Sequence, residues 1–467
     1  MHYDVKTREW APVVYRAGTR LSGLSVSAKR SSLRWDNGLR LSGYRWQTPM
    51  VVGQKAHLTL FWVSEHRQAH RSHLKLQLTA SDGQVAFEHP FSMMTVMHSL
   101  PMTTLGVRSE FPTTAWPAGS LVVQDIEFTV PPELPPLPYR LNVEVIDGAR
   151  GELVPVAGGT EGLLDTVSVA RPSEPHRPRD IAVQHRKGIS FDGRMRLIGY
   201  DLPEEAPRPG HYLPVWLHWI AERSLSTDYH VQLRLLDGDG VALAETDGSL
   251  SDISFPTSMW ERGDLVESKA GLLLSPEMEG GRYRLAVRVV NSQTGQSLLG
   301  SHPWNPFSRE WITIGRAEIL PWPLVTETPV MDYETEARFG EAVRLLGYDL
   351  RGAPDPGERL SLTLYWRAQG SLDASYSVFV HLTDQAGKMV TQADGIPAGW
   401  LRPTTTWREG EVITDEHTLS LPSELPAGDY YLYVGFYEPE ADRLPVFSRG
   451  EPVPDGRLPL TSLRVGE

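Results

Sequence analysis

Histidines 66, 70 and 73 are the residues of this sequence whose spacing most resembles a metal site. They lie four and three residues apart in the segment EHRQAHRSH. On a helix, this spacing would gather imidazole ligands on one face. The segment joins two predicted strands, however, and the alternative is three solvated histidines. We therefore predict no metal site here.

A single imidazole, His381, interrupts the apolar stretch VFVHLTD. Two similar stretches elsewhere in the chain carry Arg234 and Gln77 at the corresponding position. The repeated pattern therefore does not require an imidazole. We predict that His381 is an outward-facing strand residue with no catalytic role.

Acidic residues offer two further kinds of chemistry. Asp237, Asp239 and Asp247 lie near Gly residues, as in some calcium loops. The third acidic position and the distal Glu of a helix–loop–helix calcium site are missing, and Asp-Gly pairs are frequent in hairpin turns. We predict turns at these positions and no calcium.

Paired carboxylates of the kind used in glycoside hydrolysis are the other possibility. The close pairs are Glu409 with Glu411 and Glu438 with Glu440. Nothing in the sequence places two of these groups across a cleft. The chain also lacks the serine-nucleophile, phosphate-loop and zinc-helix motifs. We predict no catalytic residue and no cofactor, although an enzyme with an inter-domain site remains a minor alternative.

Aromatic residues carry the remaining signal. The chain has 14 Trp, and four of them lie outside the obvious core positions: Trp46, Trp304, Trp322 and Trp400. Exposed rings in loops at the end of a β-sandwich can stack on sugars or anchor a protein partner. The alternative for these residues is packing between domains.

The chain repeats one pattern three times. The octapeptides LRLSGYRW, MRLIGYDL and VRLLGYDL contain Tyr44, Tyr200 and Tyr348. Three further markers follow each octapeptide in the same order: a strand that ends in Trp, a Pro-Thr-Thr/Ser-x-Trp motif, and a Tyr-x-Leu-x-Val motif. A spacing of about 150 residues indicates repeated whole domains and not short solenoid units.

Apolar residues in these segments alternate with a period of two. Leu360, Leu362, Leu364 and Trp366 share one face of the stretch LSLTLYW. Short alternating runs separated by Gly- and Asp-containing turns predict an all-β fold of three tandem Ig-like or fibronectin III-like antiparallel sandwiches. The Trp at the end of this strand, and its two counterparts, should lie in the core.

The stretch LPSELPAGDYYLYV resembles the tyrosine corner of such domains, in which a Tyr hydroxyl bonds back to the preceding turn. The corresponding stretch of the first repeat, ELPPLPYRLNV, lacks the Gly. We therefore expect its turn to be built differently. In the octapeptide, Gly should permit a bulge.

The markers predict three domains: residues 1–172, with a Met-rich insertion around 88–106, residues 173–322 and residues 323–467. The insertion is either a long hairpin or a flexible contact surface. The two linkers contain Pro and are short, which predicts a semi-rigid arrangement.

Composition narrows the classes of function. The net charge of −13 argues against nucleic-acid binding, and the absence of Cys excludes disulfides and cysteine-ligated metals. No stretch approaches the length of apolar residues that spans a membrane, and the N-terminal stretch does not read as a signal peptide.

The third repeat resembles β-sandwich modules that follow the membrane-spanning part of some bacterial multi-span glycosyltransferases and occur in related envelope proteins. The resemblance is carried by GYDL, LTLYW, VFVHLTDQAG, ADGIP and RPTTTWREGEVI. It covers nearly all of the third repeat, and it is weaker in the second and loose in the first. It implies an accessory part at the outer side of the envelope and not transferase activity.

Our hypothesis from sequence is a non-catalytic binding or spacer protein of the bacterial cell envelope that binds glycans. The alternative is a structural or assembly protein whose sandwich faces and linkers contact other proteins. The sequence does not distinguish the ligand or the oligomeric state.

Overall fold

A computed structural model of the chain describes residues 28–46, 49–96, 110–119, 121–159, 161–251, 254–303, 305–438 and 443–466. These residues form strands and short 3-10 turns, with no α-helix among them. The strands build three β-sandwiches in chain order, each with two main sheets, which confirms the predicted fold class. The predicted domain boundaries stay a prediction.

Sandwich 1 contains strands β1 to β12. Their bounds are β1 Lys29–Arg30, β2 Leu39–Trp46, β3 Met50–Val51, β4 Lys55–Ser64, β5 Ser72–Thr79, β6 Val85–Ser92, β7 Met94–Val96, β8 Glu110–Pro112, β9 Leu121–Thr129, β10 Pro138–Asp147, β11 Leu153–Val154 and β12 Leu163–Ala170. The sheet orders are β1-β2-β4-β9 and β3-β12-β10-β5-β6, with β11 on β10 and a separate β7-β8 pair. Residues 97–109 of the Met-rich region lie outside the described residues.

Sandwich 2 contains strands β13 to β23. Their bounds are β13 His185–Phe191, β14 Met195–Asp201, β15 Tyr212–Ala221, β16 Tyr229–Leu236, β17 Ala242–Ser249, β18 Leu265–Leu273, β19 Gly281–Asn291, β20 Ser297–Leu298, β21 Gly300–His302, β22 Asn305–Arg309 and β23 Ile312–Ile319. One sheet has the order β18-β15-β14-β13-β21-β22, and the other has β17-β16-β19-β20 with β23 also on β19.

Sandwich 3 contains strands β24 to β33. Their bounds are β24 Tyr333–Phe339, β25 Val343–Arg351, β26 Arg359–Ala368, β27 Ser377–Thr383, β28 Met389–Gln392, β29 Val412–Ser420, β30 Gly428–Tyr437, β31 Val446–Ser448, β32 Glu451–Val453 and β33 Leu458–Val465. The sheet orders are β29-β26-β25-β24-β31-β32 and β28-β27-β30-β33.

The glycine of each octapeptide lies at a β-bulge. The register of β2 against β4 shifts between Leu41 and Gly43, and the other two copies shift at the same place. A Cβ at Gly43 would lie 2.8 Å from the carbonyl oxygen of Lys29, and one at Gly199 would lie 2.6 Å from that of His185. The octapeptide therefore keeps Gly because the neighbouring strand passes too close for a side chain.

The Trp of the first marker after each octapeptide lies two residues before the end of β4, β15 or β26, and it is fully buried, as predicted. Its Nε1–H donates to a side chain on the adjacent strand of the same sheet. The pairs are Trp62 with Gln124 (2.8 Å), Trp219 with Ser268 (2.9 Å) and Trp366 with Asp415 (3.1 Å). The acceptor differs in each copy, and only sandwich 3 uses a carboxylate.

The tyrosine corner forms in all three sandwiches. The hydroxyl donates to the carbonyl oxygen four residues earlier. The pairs are Tyr139 with Pro135 (2.8 Å), Tyr283 with Glu279 (2.6 Å) and Tyr430 with Pro426 (2.8 Å). The turn of sandwich 1 thus makes the same hydroxyl bond without the Gly. Its backbone also has a 2.8 Å hydrogen bond from Leu137 N–H to the Pro135 carbonyl oxygen, and the different construction of the turn stays a prediction.

The Pro-Thr-Thr/Ser-x-Trp marker connects two segments of each sandwich through a buried hydrogen bond. Its first Thr is buried and begins a 3-10 turn. The Oγ1 atom of this Thr accepts a hydrogen bond from a backbone N–H: Thr113 from Ser72, Thr257 from Tyr229 and Thr404 from Tyr376. This hydrogen bond joins the 3-10 turn to the start of a strand of the second sheet, which is β5, β16 or β27.

Each linker is fixed to the sandwich that follows it. Arg171 of the first linker donates from Nε to Asp264 Oδ1 at 2.9 Å in sandwich 2. In the second linker, the carbonyl oxygen of Val325 accepts the backbone N–H of Val412 at 2.6 Å in sandwich 3. These contacts agree with a semi-rigid arrangement.

Candidate ligand-binding site

The loop 393–402 of sandwich 3 presents the most exposed tryptophan that the structure describes. Trp400 is 62% exposed. Its backbone φ is 73°, and that of Ala398 is 54°, so both residues occupy the left-handed region. A bulky side chain in this region is a rare and costly conformation, and such conformations cluster at functional sites.

The indole of Trp400 packs directly on Gly395. A Cβ at position 395 would lie 3.2–3.4 Å from three atoms of the indole, Nε1, Cε2 and Cζ2. Gly395 is itself held by two backbone hydrogen bonds to Val378, of 2.8 and 2.9 Å. The glycine therefore supports the ring, while most of Trp400 stays in solvent.

One part-buried acid–imidazole pair holds the start of the loop. Asp394 Oδ2 lies 3.3 Å from His381 Nε2, and its Oδ1 accepts the backbone N–H of Val380 at 3.2 Å. His381 lies on the outer face of β27, as predicted, yet it is buried. The sequence pattern predicted the face of the strand on which His381 lies, but it did not predict the loop that packs against this residue.

A second pair holds the loop from inside the sandwich. Asp415, which is 0% exposed, accepts the backbone N–H of Ala398 at 2.8 Å through Oδ1. Its Oδ2 lies 2.8 Å from His417 Nε2, and His417 Nδ1 lies 2.8 Å from the carbonyl oxygen of Ala393. A carboxylate and a carbonyl both accept, so these two contacts require both imidazole nitrogens to carry a proton.

The environment of His417 favours this charged form. Burial by itself lowers the pKa, but the hydrogen bond and charge of Asp415 raise it, with help from the Ala393 carbonyl and Asp394. The net effect is a pKa of His417 above its ordinary value. An imidazolium and a carboxylate thus form a buried ion pair that fixes the two ends of loop 393–398.

Sequence reasoning missed this pair. In sandwich 2, the residues at the same positions of the corresponding strand β18 are Ser268 and Ala270. The available signal was an Asp and a His at consecutive inward positions of a two-residue alternation in VITDEHTLS. A candidate site can be sought where one repeat has polar residues at inward positions and another repeat has different residues there.

Asp415 and His417 act as a structural clamp that holds loop 393–398. The contacts of Asp415 and His417 are to backbone groups, to each other and to the indole N–H of Trp366. No Ser, Thr or Lys nucleophile is among these partners, and the described residues contain no group of three metal-ligating side chains.

No protein-family model matches the chain, and no curated protein matches it.

Solved structures with some likeness to this chain include the following three. They are BspA_C_WT (9% identity, TM-score 0.15, 58% of this chain and 100% of that chain), the C-terminal domain of the Streptococcus pyogenes antigen I/II-family protein AspA (10%, 0.16, 61% and 99%) and a Corynebacterium diphtheriae protein described as membrane anchored (11%, 0.15, 91% and 91%). At these TM-scores the likeness carries no conclusion about this chain. Within the described ranges, no helix has the length and apolar character to cross a membrane.

Of the other three tryptophans singled out from sequence, Trp46 lies in sandwich 1 and Trp322 in the second linker, so these two are not gathered at one site. Trp46 is half-buried at the end of β2, with its ring centroid 6.5 Å from that of Phe128. Trp322 is half-buried in the second linker, near loop residue Arg402, whose guanidinium lies 5.4 Å from its ring centroid. Trp304 lies outside the described residues.

Among the residues that the structure describes, the histidine and acid clusters form no group of three possible metal ligands. The loop at Asp237 is a turn, because Asp237 Oδ1 accepts the backbone N–H groups of Asp239, Gly240 and Val241. Glu411 is buried and forms ion pairs with Arg402 and Arg408. Glu440 lies outside the described residues.

Proposed function

We propose that the chain is a non-catalytic binding protein of the bacterial cell envelope that holds a glycan on the Trp400 loop of sandwich 3. The observation that carries this proposal is an exposed indole in a costly backbone conformation, supported by Gly395 and fixed by a buried ion pair. The exposed indole buries little of its own surface, so its orientation has value for recognition and not for the packing of the sandwich.

Pre-organisation is the physical reason for this assignment. A ring that already has its bound orientation loses little conformational freedom when a ligand arrives. An exposed indole face suits the apolar face of a sugar ring, and a tryptophan of this kind commonly contributes a large part of a binding energy. The clamp fixes the backbone of the loop at Ala393 and Ala398, close to Trp400.

The envelope location rests on the resemblance of the repeats to sandwich modules of bacterial multi-span glycosyltransferases. Three sandwiches with boundaries near 172 and 322 would then place the Trp400 loop on the last of three modules. This domain division belongs to the proposal.

Retention of the chain on bacterial envelope polysaccharides tests the function. The variants are Trp400→Ala and, as a matched control, Tyr212→Ala, because Tyr212 is 65% exposed on sandwich 2. We expect Trp400→Ala to lower the affinity tenfold or more, which is typical of a central aromatic contact, and Tyr212→Ala to leave it unchanged. Equal affinity for wild type and Trp400→Ala would refute the proposal.

A structural or assembly role is the second candidate. It is favoured by apolar side chains of the second linker that are exposed, namely Leu324, Val325 and Val330. Sedimentation of the chain over a range of concentrations, alone and with Val330→Ser, distinguishes the two functions. Self-association that this substitution weakens would favour assembly.

A further inference from the structure

The Trp400 loop, residues 393–402, also contacts sandwich 2. Leu401, the neighbour of Trp400, is half-buried and lies on Gly210, two residues before β15. A Cβ at position 210 would lie 2.8 Å from Leu401 Cδ2 and 3.6 Å from Leu401 Cα. It would also lie 3.5 Å from Pro276, so this proline borders the contact. We call Gly210 and Pro276 the seat of Leu401.

Backbone hydrogen bonds fix the seat to sandwich 2. The N–H of Gly210 donates to the carbonyl oxygen of Leu274 at 3.2 Å, and Leu274 is a core residue with 0% exposure. The N–H of Leu274 donates in turn to the carbonyl oxygen of His211 at 3.0 Å. A displacement of sandwich 2 relative to sandwich 3 would therefore carry the seat with it.

A second contact between the two sandwiches passes through the linker. The ring centroid of Trp322 lies 5.4 Å from the guanidinium of Arg402, in the Trp400 loop, and 5.7 Å from that of Arg208, in sandwich 2. Contacts of a guanidinium with an indole at such distances are attractive. The two residues that follow Trp400 thus contact sandwich 2 and the linker.

Trp400 lies in a compact turn between its two attachments. Three backbone hydrogen bonds overlap in this turn, and the donor and acceptor residues are Trp400 with Ile396 (3.0 Å), Leu401 with Ala398 (3.3 Å) and Arg402 with Pro397 (3.1 Å). Because the bonds overlap, residues 396–402 move as one unit. The N–H of Ala398 is bonded to Asp415 inside sandwich 3. A shift of Leu401 on its seat would therefore reorient the turn that carries Trp400.

We infer that Leu401 is a positioning residue of the glycan site and that sandwich 2 belongs to the binding unit. The orientation of Trp400 then depends on how sandwiches 2 and 3 are arranged. A bound glycan stabilises that arrangement in return, because coupling between binding and arrangement is reciprocal. This inference rests on the proposed function, since it concerns the affinity of the Trp400 loop.

A cysteine pair tests whether Leu401 occupies its seat. The sequence contains no Cys, so the double variant Gly210→Cys/Leu401→Cys has one possible disulfide. The distances at Gly210 bring the two positions within reach of such a bond. We expect the disulfide to form under mild oxidation, as followed by mass spectrometry. A double variant that stays reduced would overturn the inference.

The indole N–H signal of Trp400 reports the position of the ring without a ligand. It is measured by NMR on the full chain with isotope-labelled tryptophan and is identified by its loss in Trp400→Ala. We expect Leu401→Ala to shift this signal and to weaken the affinity for an envelope polysaccharide about fivefold, because the ring loses its pre-organised position. The reduced double variant should behave like Leu401→Ala, and oxidation should return both values toward wild type.

Leu372→Ala is the matched control. Leu372 is half-buried like Leu401, but it packs against the core of sandwich 3. We expect Leu372→Ala to lower the unfolding midpoint and to leave the Trp400 signal and the affinity unchanged, whereas Leu401→Ala should do the reverse. A Trp400 signal that is the same in the oxidised and reduced double variant, or in wild type and Leu401→Ala, overturns the inference.

The two readouts separate the inference from the proposed function. If the Trp400 signal responds as expected and the wild type retains no polysaccharide, Leu401 positions Trp400 and the proposed function fails. If retention depends on Trp400, but neither Leu401→Ala nor reduction of the double variant changes the affinity, the proposed function stands and only the inference fails.

Discussion

At the scale of residues, single positions decide whether a sandwich can close. The octapeptide glycine lies where an adjacent backbone oxygen leaves no space for a Cβ, in all three copies. The sequence predicted the bulge because a Gly recurs at the same point of an apolar strand. It could not predict the reason, since the oxygen belongs to a strand whose pairing the sequence pattern does not reveal.

Gly347→Ala should therefore destabilise sandwich 3. The added Cβ would overlap the carbonyl oxygen of Tyr333 and the sulfur of Met331. We expect a loss of about 1–3 kcal/mol, as is usual for overpacking, measured by chemical unfolding. Gly370→Ala, which meets nothing within 4 Å, is the control and should change stability little.

His417 should make the stability of sandwich 3 depend on pH. Its folded pKa is raised, so its contribution is fully present below the unfolded pKa of about 6.5 and is lost as the pH rises through the folded pKa. The charged groups that act on it are Asp415 and Asp394. The thermal unfolding midpoint should therefore fall as the pH rises through the folded pKa of His417.

The chain supplies the control for this pH effect. Asp415→Ser combined with His417→Ala installs the residues that sandwich 2 has at these positions, Ser268 and Ala270. The difference in unfolding midpoint between wild type and this double variant should shrink as the pH rises. A difference that stays constant from acid to alkaline pH would argue against a buried ion pair.

At the scale of elements, strands and corners could be predicted, but the site loop could not. Alternation and turn residues are local properties, so the tyrosine corner was found from LPSELPAGDYYLYV. The conformation of Trp400 depends on a clamp whose members lie on two separate segments in sequence, Asp394 in the loop itself and Asp415 with His417 on β29. Only the fold brings them together.

The tyrosine corners should differ in strength. Tyr430→Phe and Tyr139→Phe remove hydrogen bonds of largely buried rings, and we expect each to cost about 1 kcal/mol. The bond of Tyr283 is exposed, so Tyr283→Phe should cost less. Chemical unfolding of the three variants checks the order, and equal losses would contradict it.

At the scale of the whole molecule, the linkers determine how the sandwiches are joined. Their Pro content predicted stiffness, but the contacts that fix them come from distant residues. Arg171 reaches Asp264 in sandwich 2, and the carbonyl of Trp322 accepts from Arg408 in sandwich 3. Both contacts are to the loop that follows the Pro-Thr-Thr/Ser-x-Trp marker.

Arg171→Ala should release the first linker. The substitution removes the partner of Asp264, which is buried, and frees the chain that precedes β13. We expect faster amide hydrogen exchange in residues 172–184. Arg359→Ala in sandwich 3 is the control. Unchanged exchange in the linker would show that Arg171 does not hold it.

The affinity of Gly395→Ala for an envelope polysaccharide, measured beside wild type, tests the central claim most directly. The substitution leaves Trp400 in the chain and adds a Cβ against the indole, so it changes the position of the ring and not its chemistry. We predict an affinity at least fivefold weaker, from the loss of about 1 kcal/mol, with an unfolding midpoint close to that of wild type. Wild-type affinity in this variant would contradict the account, because the ring would then need no support.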